Sequence, residues 1–208
     1  QKAAYEAIVS AKAETFLLHG ITGSGKTEVY MRCISDALAS GKSAIMLVPE
    51  ISLTPQVFKV FKARFGDEVA ILHSGLSAGE RFDEWRRLIS GQARVAVGAR
   101  SAIFAPVANI GVIIIDEEHD SSYVSESNPR YQTYEVAGRR AEYNGCNLIM
   151  GSATPSIESY YYARCGKYRL VEMSTRVNER ALPEMNIVDM TKEYAAGNNG
   201  VFSRCLES

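Results

Sequence analysis

The chain has little of what builds metal clusters or disulfide frameworks. It holds only four cysteines and three histidines, and Cys33, Cys146, Cys165 and Cys205 stand far apart. No Cys-x-x-Cys pair exists, so the spacing suits neither a zinc site nor the staples of a small secreted domain, and reduced thiols of a cytoplasmic protein are expected. There is also no excess of charge, the net value being −1, which excludes a whole-surface electrostatic grip on nucleic acid. A local basic track remains compatible, because a sum hides its distribution. No apolar run approaches the roughly 20 residues that cross a bilayer, and no signal peptide precedes the first apolar run, so no membrane partner is expected. What remains is an ordinary globular composition, 46% hydrophobic over 208 residues, enough for one large domain with its own core. The chain opens at Gln1 without methionine and runs out through Asn198-Asn199-Gly200-Val201-Phe202-Ser203 with no closing element expected, which reads as a piece of a longer protein.

One octet carries most of the information. Gly20-Ile21-Thr22-Gly23-Ser24-Gly25-Lys26-Thr27 fits the G-x-x-x-x-G-K-[ST] phosphate loop. Phe16-Leu17-Leu18 leads in as a strand, and Glu28–Leu38 follows as a helix. Polyphosphate is densely negative, so its site needs closely packed donors. Glycines let successive N–H groups turn inward, and the helix that follows adds its positive end. Lys26 would reach the β/γ-phosphates, and the Thr27 hydroxyl would take a place on Mg²⁺. A second run, Val112-Ile113-Ile114-Ile115-Asp116-Glu117-Glu118-His119, supplies acids at the end of a buried strand. Asp116 would hold Mg²⁺ largely through its waters, and Glu117 would orient and deprotonate the attacking water. Glu118 reads as a solvated acid or as part of the site. His119 reads as a satisfied polar neighbour or as a relay.

Apolar runs recur at Thr15–Leu18, Ser43–Val48, Val69–Leu72, Arg94–Val97, Val112–Ile115 and Leu148–Met150. Segments of helical spacing lie between them. Thr54-Pro55 opens one helix, with Val57, Phe58, Phe61 and Phe65 as its buried stripe. Ser77-x-x-Glu80 is a capping box, followed by Phe82, Trp85, Leu88 and Ile89 on one side and closed by Gly91. Trp85 is expected in the core, and Tyr160-Tyr161-Tyr162, pointing three ways, is expected to divide between surface and core. Unbroken apolar strands alternating with amphipathic helices imply an α/β fold, a mostly parallel sheet with helices on both faces, whose ligands sit at the strands' carboxyl ends. Ser121–Arg130 is expected as a loop with an aromatic load. Beyond Met173 we expect an extended connection over Thr175–Pro183, a short strand at Met185–Val188, and a mobile tail.

Asp116-Glu117-Glu118-His119 is a DExH box, and Ser152-Ala153-Thr154 matches the Ser-Ala-Thr motif of superfamily 2 helicases. In finer text the chain resembles the primosomal replication-restart DNA helicases over roughly residues 1 to 190. The resemblance rests on the phosphate loop extended through Glu28-Val29-Tyr30 and on Leu47-Val48-Pro49-Glu50-Ile51-Ser52-Leu53-Thr54-Pro55-Gln56. It rests equally on His73-Ser74-Gly75-Leu76-Ser77, Gly98-Ala99-Arg100-Ser101-Ala102-Ile103-Phe104-Ala105-Pro106 and Gly151-Ser152-Ala153-Thr154-Pro155-Ser156.

The resemblance implies a RecA-like P-loop NTPase lobe over residues 1–174, using ATP and Mg²⁺. It implies that residues 175–208 are a connection, partly disordered, into a second lobe. The implied activity is 3′-to-5′ unwinding of single-stranded and forked DNA at stalled forks, with restart proteins and single-strand-binding protein as partners, in a cytoplasmic, nucleoid-associated protein. Gln1 would contact adenine. Thr54, Gln56, His73, Ser74, Arg100 and Ser101 would touch the DNA backbone, with Tyr123, Arg130 and Tyr131 acting from an aromatic-rich loop. Ser152, Ala153 and Thr154 would couple hydrolysis to movement.

The family's zinc-binding cysteines belong to its second lobe and have no counterpart here, and Ser125-Glu126-Ser127-Asn128 departs from the family loop. The rival readings are another superfamily 2 duplex translocase, a nucleotide-binding regulator or kinase without nucleic acid, and a purely structural lobe.

Overall fold

The computed structural model describes residues 1–175 and 186–207. By contacts the chain divides into two compact units, Gln1–Asn178 and Glu179–Ser208. The first contains a seven-stranded sheet in the order β3-β4-β2-β5-β6-β1-β7, every pairing parallel. Its strands are β1 (Thr15–Gly20), β2 (Ser43–Leu47), β3 (Val69–Leu72), β4 (Val95–Gly98), β5 (Ile110–Asp116), β6 (Asn147–Ser152) and β7 (Arg169–Met173). The helices are α1 (Lys2–Val9), α2 (Lys26–Ala39), α3 (Pro55–Phe65), α4 (Ala78–Ile89), α5 (Thr133–Asn144) and α6 (Ile157–Arg164).

Central strands are apolar at nearly every position because both sheet faces are covered. On one face, Phe16, Leu18, Met46 and Ile114 pack with Tyr30, Ile34 and Phe61 from α2 and α3. On the other, Ile45, Leu47, Ile113 and Met150 pack with Leu88, Ala137 and Ala141 from α4 and α5. The expected α/β class, parallel sheet and two-sided cover are therefore present.

Local choices agree with this frame. Thr54 accepts the Val57 N–H at 3.4 Å, with Pro55 at the first helical position, so α3 begins where the sequence placed it. Ser77 and Glu80 form the reciprocal capping box of α4. Two expectations for α4 fail: Phe82 and Ile89 are 62% and 68% exposed. The helix lies over the edge strand β3, so only a narrow stripe holding Leu88 and half-buried Trp85 is covered. That margin is closed by side chains from α4. Glu84 accepts the Ile71 N–H at 3.0 Å, and Arg87 donates to the carbonyls of Asp67 and Val69.

β7 is the strand that sequence reading missed. It is the opposite edge, and Arg169 and Glu172 face outward, so it carries no apolar run. The three tyrosines of α6 do not reach the core as expected: Tyr161 is 62% exposed, Tyr160 38%, and Tyr162 is only half-buried, because the short α6 lies over the outer strands.

In the second unit, α7 (Met190–Ala195) starts at Asp189, which accepts the Thr191 N–H, and α8 (Arg204–Glu207) follows. Glu193 accepts from Asn198 and Arg204. Residues 186–188 form no strand, contrary to the reading of Met185–Val188. Met185 itself, and all but Thr175 of the connection expected over Thr175–Pro183, lie outside the described residues.

Candidate functional site

β1, β6 and β5 are neighbours, so the loops leaving their carboxyl ends meet. This brings together residues 26, 116–119 and 152–154. The phosphate loop turns where glycine permits it: Gly23 and Gly25 have φ of 79° and 87°, and Gly25 caps α2. A Cβ on Gly20 would stand 2.7 Å from Ser24 Oγ. That Oγ is buried and has no hydrogen-bond partner among the described residues. Buried Lys26 donates to the Gly20 carbonyl at 2.8 Å, and its ammonium stands 3.7 Å from Glu117 Oε1. Thr27 is exposed in the first turn of α2. Ile21 and Thr22 are exposed on the loop, and the Gln1 amide donates to the Ser24 carbonyl at 3.2 Å.

Glu117 has φ of 46°, a left-handed conformation unusual for a side chain of this size, placed directly after the last β5 residue. Tyr30 of α2 donates to Asp116 Oδ1 at 3.0 Å, and Tyr123 donates to the Asp116 carbonyl at 2.8 Å. Burial pushes the Asp116 carboxyl up to about 6, with the neighbouring Glu117 charge adding to it and the Tyr30 hydrogen bond and Lys26 holding it back. Burial also raises the Tyr30 and Tyr123 phenols well above their ordinary range.

His119 ties the acids to β6. Its Nδ1 is 3.7 Å from Glu117 Oε2 and 2.8 Å from Ser152 Oγ, and its Nε2 is 3.4 Å from Thr154 Oγ1. Ser152 is fully buried and also accepts the Thr154 N–H, while Ala153 is half-buried between them. Glu118, left open by sequence, belongs to the fold. It accepts from the Ser156 N–H, Ser156 Oγ and Ser159 Oγ at 2.7, 3.1 and 2.9 Å, fixing the start of α6.

The other half of the same edge, beyond β2, β4 and β3, holds the second set. Glu50, His73, Ser74, Arg100 and Ser101 line a cavity of about 480 Å³ together with Trp85 and Ser122. His73 stacks on Phe58 with ring centroids 5.3 Å apart and accepts the Gly75 N–H, and Ser74 donates to Glu50 at 2.5 Å. Thr54 caps α3 one position before Pro55, and Gln56 is exposed in its first turn. Arg100 also reaches the loop after β5, donating to the Ser122 and Val124 carbonyls at 3.4 and 2.5 Å.

That loop is pinched by a Val124–Gln132 bridge and by the Ser125 N–H on the Tyr131 carbonyl. Arg130 is exposed at its tip, and Tyr131 packs edge-on against Phe104 beneath Arg100. Tyr123 differs from expectation. It is 4% exposed with its hydroxyl on Asp116, so its ring offers no stacking face and its place is beneath the site.

Sequence reasoning missed Tyr30, Tyr123 as a tether, and Gly151. The available sign was a glycine inside an apolar strand, which marks a close approach by another group. A Cβ at Gly151 would overlap the Tyr30 hydroxyl.

The donor set fits a magnesium nucleotide: an exposed threonine hydroxyl, a buried serine hydroxyl without a partner, a lysine and two adjacent acids around one glycine loop. Among the described residues no cluster of three or more acids, histidines or cysteines is placed to hold a metal.

A phosphate loop and a DExH strand meeting on a parallel sheet define the class, an α/β lobe of the P-loop type. Residues 1–161 match the DEAD/DEAH box helicase model, and the chain belongs to that family. It is 55% identical to the replication restart protein PriA of Bacillus subtilis over 98% of this chain and 26% of that protein. It is 50% identical to the PriA of Synechocystis over 92% and 24%. The resemblance drawn from the motifs is thus met, and the chain spans about a quarter of these relatives' length.

Among solved structures, the Pyrococcus furiosus Hef helicase domain superposes with a TM-score of 0.56 at 22% identity, covering 82% of this chain and 37% of that one. RecG bound to a three-way DNA junction gives 0.57 at 22%, covering 87% and 24%. Both share the RecA-like fold. No helix among the described residues is long and apolar enough to cross a membrane.

Proposed function

We propose that residues 1–174 are the first motor lobe of an ATP-dependent DNA helicase that translocates 3′ to 5′ and reopens stalled forks during replication restart. Residues 175–208 lead into a second lobe. The convergence of Lys26, Asp116 and Glu117 on one loop supports this reading most directly. In it, Lys26 leaves the Gly20 carbonyl for the β/γ-phosphates, and glycine-loop N–H groups and the α2 terminus orient the triphosphate. Thr27 and Asp116 hold Mg²⁺, which neutralises phosphate charge when bound. Glu117 orients the attacking water and takes its proton, and His119 links that base to Ser152 and Thr154. Gln1, already against the loop, reaches adenine.

Coupling to DNA follows from Arg100. Its two carbonyl partners flank Tyr123, and Tyr123 holds the backbone of Asp116. A DNA phosphate drawing Arg100 away from the loop would loosen the tether on the magnesium-holding acid. Thr54, Gln56, His73, Ser74 and Ser101 offer hydroxyl, amide and imidazole groups suited to a backbone of any sequence, and Arg130 and Tyr131 extend that track.

Alone, the lobe turns over ATP poorly, because an arginine finger from a second lobe is worth about 10³–10⁵ in rate at comparable sites. Restart proteins and single-strand-binding protein are the proposed partners, zinc belongs to the second lobe, and the site of action is the cytoplasmic nucleoid. ATPase of the full-length protein, with single-stranded, forked and blunt duplex DNA over a salt series, tests the reading. Stimulation by single strands and forks that weakens with salt is expected. Equal stimulation by blunt duplex would replace it with a duplex translocase, and no stimulation by DNA would remove the nucleic-acid partner.

A further inference from the structure

Tyr30 lies on α2 one helical turn past Lys26, and its side chain is wholly buried. A phenol hydroxyl taken out of water needs a partner. This one reaches across 86 positions of sequence to Asp116 Oδ1. The backbone of the neighbouring Glu117 also bonds that carboxylate, and Tyr30 is the side chain that donates to it among the described residues. The space for the hydroxyl comes from Gly151, the β6 residue paired with Asp116 in the sheet. Any side chain there would overlap the hydroxyl, and a Cβ would also stand 2.8 Å from Tyr30 Cζ. Tyr123 meanwhile holds the Asp116 carbonyl, so the residue is fixed at both its backbone and its side chain.

We propose that Tyr30 is a positioning residue for the magnesium-holding carboxylate, and that Gly151 is the gap that lets it reach. The proposal rests on the reading of Asp116 as the metal holder. A free carboxylate can rotate about its terminal bond. A hydrogen bond at Oδ1 restricts that freedom, so the carboxylate would meet a hydrated metal in a fixed orientation. Partners that orient metal-holding groups are worth about 10–100-fold in metal affinity or activity.

The experiment is a titration of the full-length protein with a fluorescent ADP analogue, in EDTA and over a range of magnesium chloride. For Tyr30→Phe, affinity in EDTA should match the unsubstituted protein, while half-saturating Mg²⁺ should rise about tenfold. Gly151→Ala attacks the same contact from the strand and should raise it at least as far. Adding Tyr30→Leu to Gly151→Ala should relieve the overlap and recover thermal stability without recovering the magnesium response.

A Tyr30 that serves the fold alone would lower the unfolding temperature and weaken binding equally with and without magnesium, which overturns the proposal. So does an unchanged magnesium response in folded Tyr30→Phe or Gly151→Ala. Asp116→Asn separates the two levels. If it too leaves the magnesium response intact, the metal assignment is what fails; if it abolishes the response while Tyr30→Phe does not, only the role of Tyr30 fails.

Discussion

The two halves of the sheet's carboxyl edge hold their polar groups in different ways. Around β1, β5 and β6 the bonds are partly sheltered from solvent, and two join partners far apart in sequence: Tyr30 on Asp116 and His119 on Ser152, with Tyr123 adding a nearer bond to the Asp116 carbonyl. Around β2, β3 and β4 several partners are close by in sequence, as with Thr54 and Val57, or with His73 and Gly75, whose bond is exposed to water. Ser74 with Glu50 is longer in range but equally exposed. Sheltered, long-range bonds fix a geometry before any ligand arrives, which suits phosphoryl transfer, where position decides rate. Local, solvated bonds are cheaply exchanged, which suits a surface that must release and regrip a backbone of varying sequence. Arg100 is the group that belongs to both halves.

The sharpest break between them should come from Lys26→Ala in the full-length protein. ATP turnover should fall by about 10²–10³-fold, the scale of losing one transition-state donor, while DNA binding stays unchanged. Filter-binding beside a steady-state ATPase assay checks both, and joint loss would mean that the halves are not separable.

A smaller effect concerns the burial of Asp116. Its folded carboxyl sits at about 6 against an ordinary 3.8, so the ionised form opposes folding. The contribution of this group to stability is fully present below about 4 and is lost as pH rises through about 6. In the absence of magnesium and nucleotide, Asp116→Asn should therefore stabilise the protein at pH 8 by about 3 kcal/mol, with the advantage vanishing near pH 4. Denaturant melts at the two pH values measure it. A destabilised variant at pH 8 would show that the site holds no such strain.

The smallest effect should be that of Arg100→Ala. DNA-stimulated turnover should drop by about five- to tenfold, the scale of a charge-assisted hydrogen bond, with turnover lacking DNA little changed. The salt dependence of single-strand binding should fall by about 0.7 in log–log slope for one lost phosphate contact. A slope unchanged from the unsubstituted protein would assign Arg100 to loop anchoring alone.

Where the chain could be read from sequence, short-range rules were sufficient. Six strands announced themselves as apolar runs, and the phosphate loop, the DExH strand and both capping signals of α3 and α4 are contiguous patterns. β7 escaped because an edge strand with Arg169 and Glu172 outward has nothing to distinguish it from a loop. Phe82 and Ile89 were misjudged because helical spacing states which residues share a face, not how wide a strip the sheet beneath will cover. Within the site, Lys26 and the acids were legible as types. The long-range contact of Tyr30 was not, since only the strand order brings α2, β5 and β6 side by side, and the Tyr123 bond depends on how the loop after β5 folds back. Arg100 was read as a phosphate contact, and its grip on the loop carbonyls shows only in three dimensions.

One quiet feature has a practical side. A bare outer strand invites a stranger's backbone to extend the sheet, the first step toward clumping. At β3 the carboxylate of Glu84 and the guanidinium of Arg87 already occupy backbone groups such a visitor would require. The seam is sealed from within the same chain, so crowding many copies together offers that flank no template for growth.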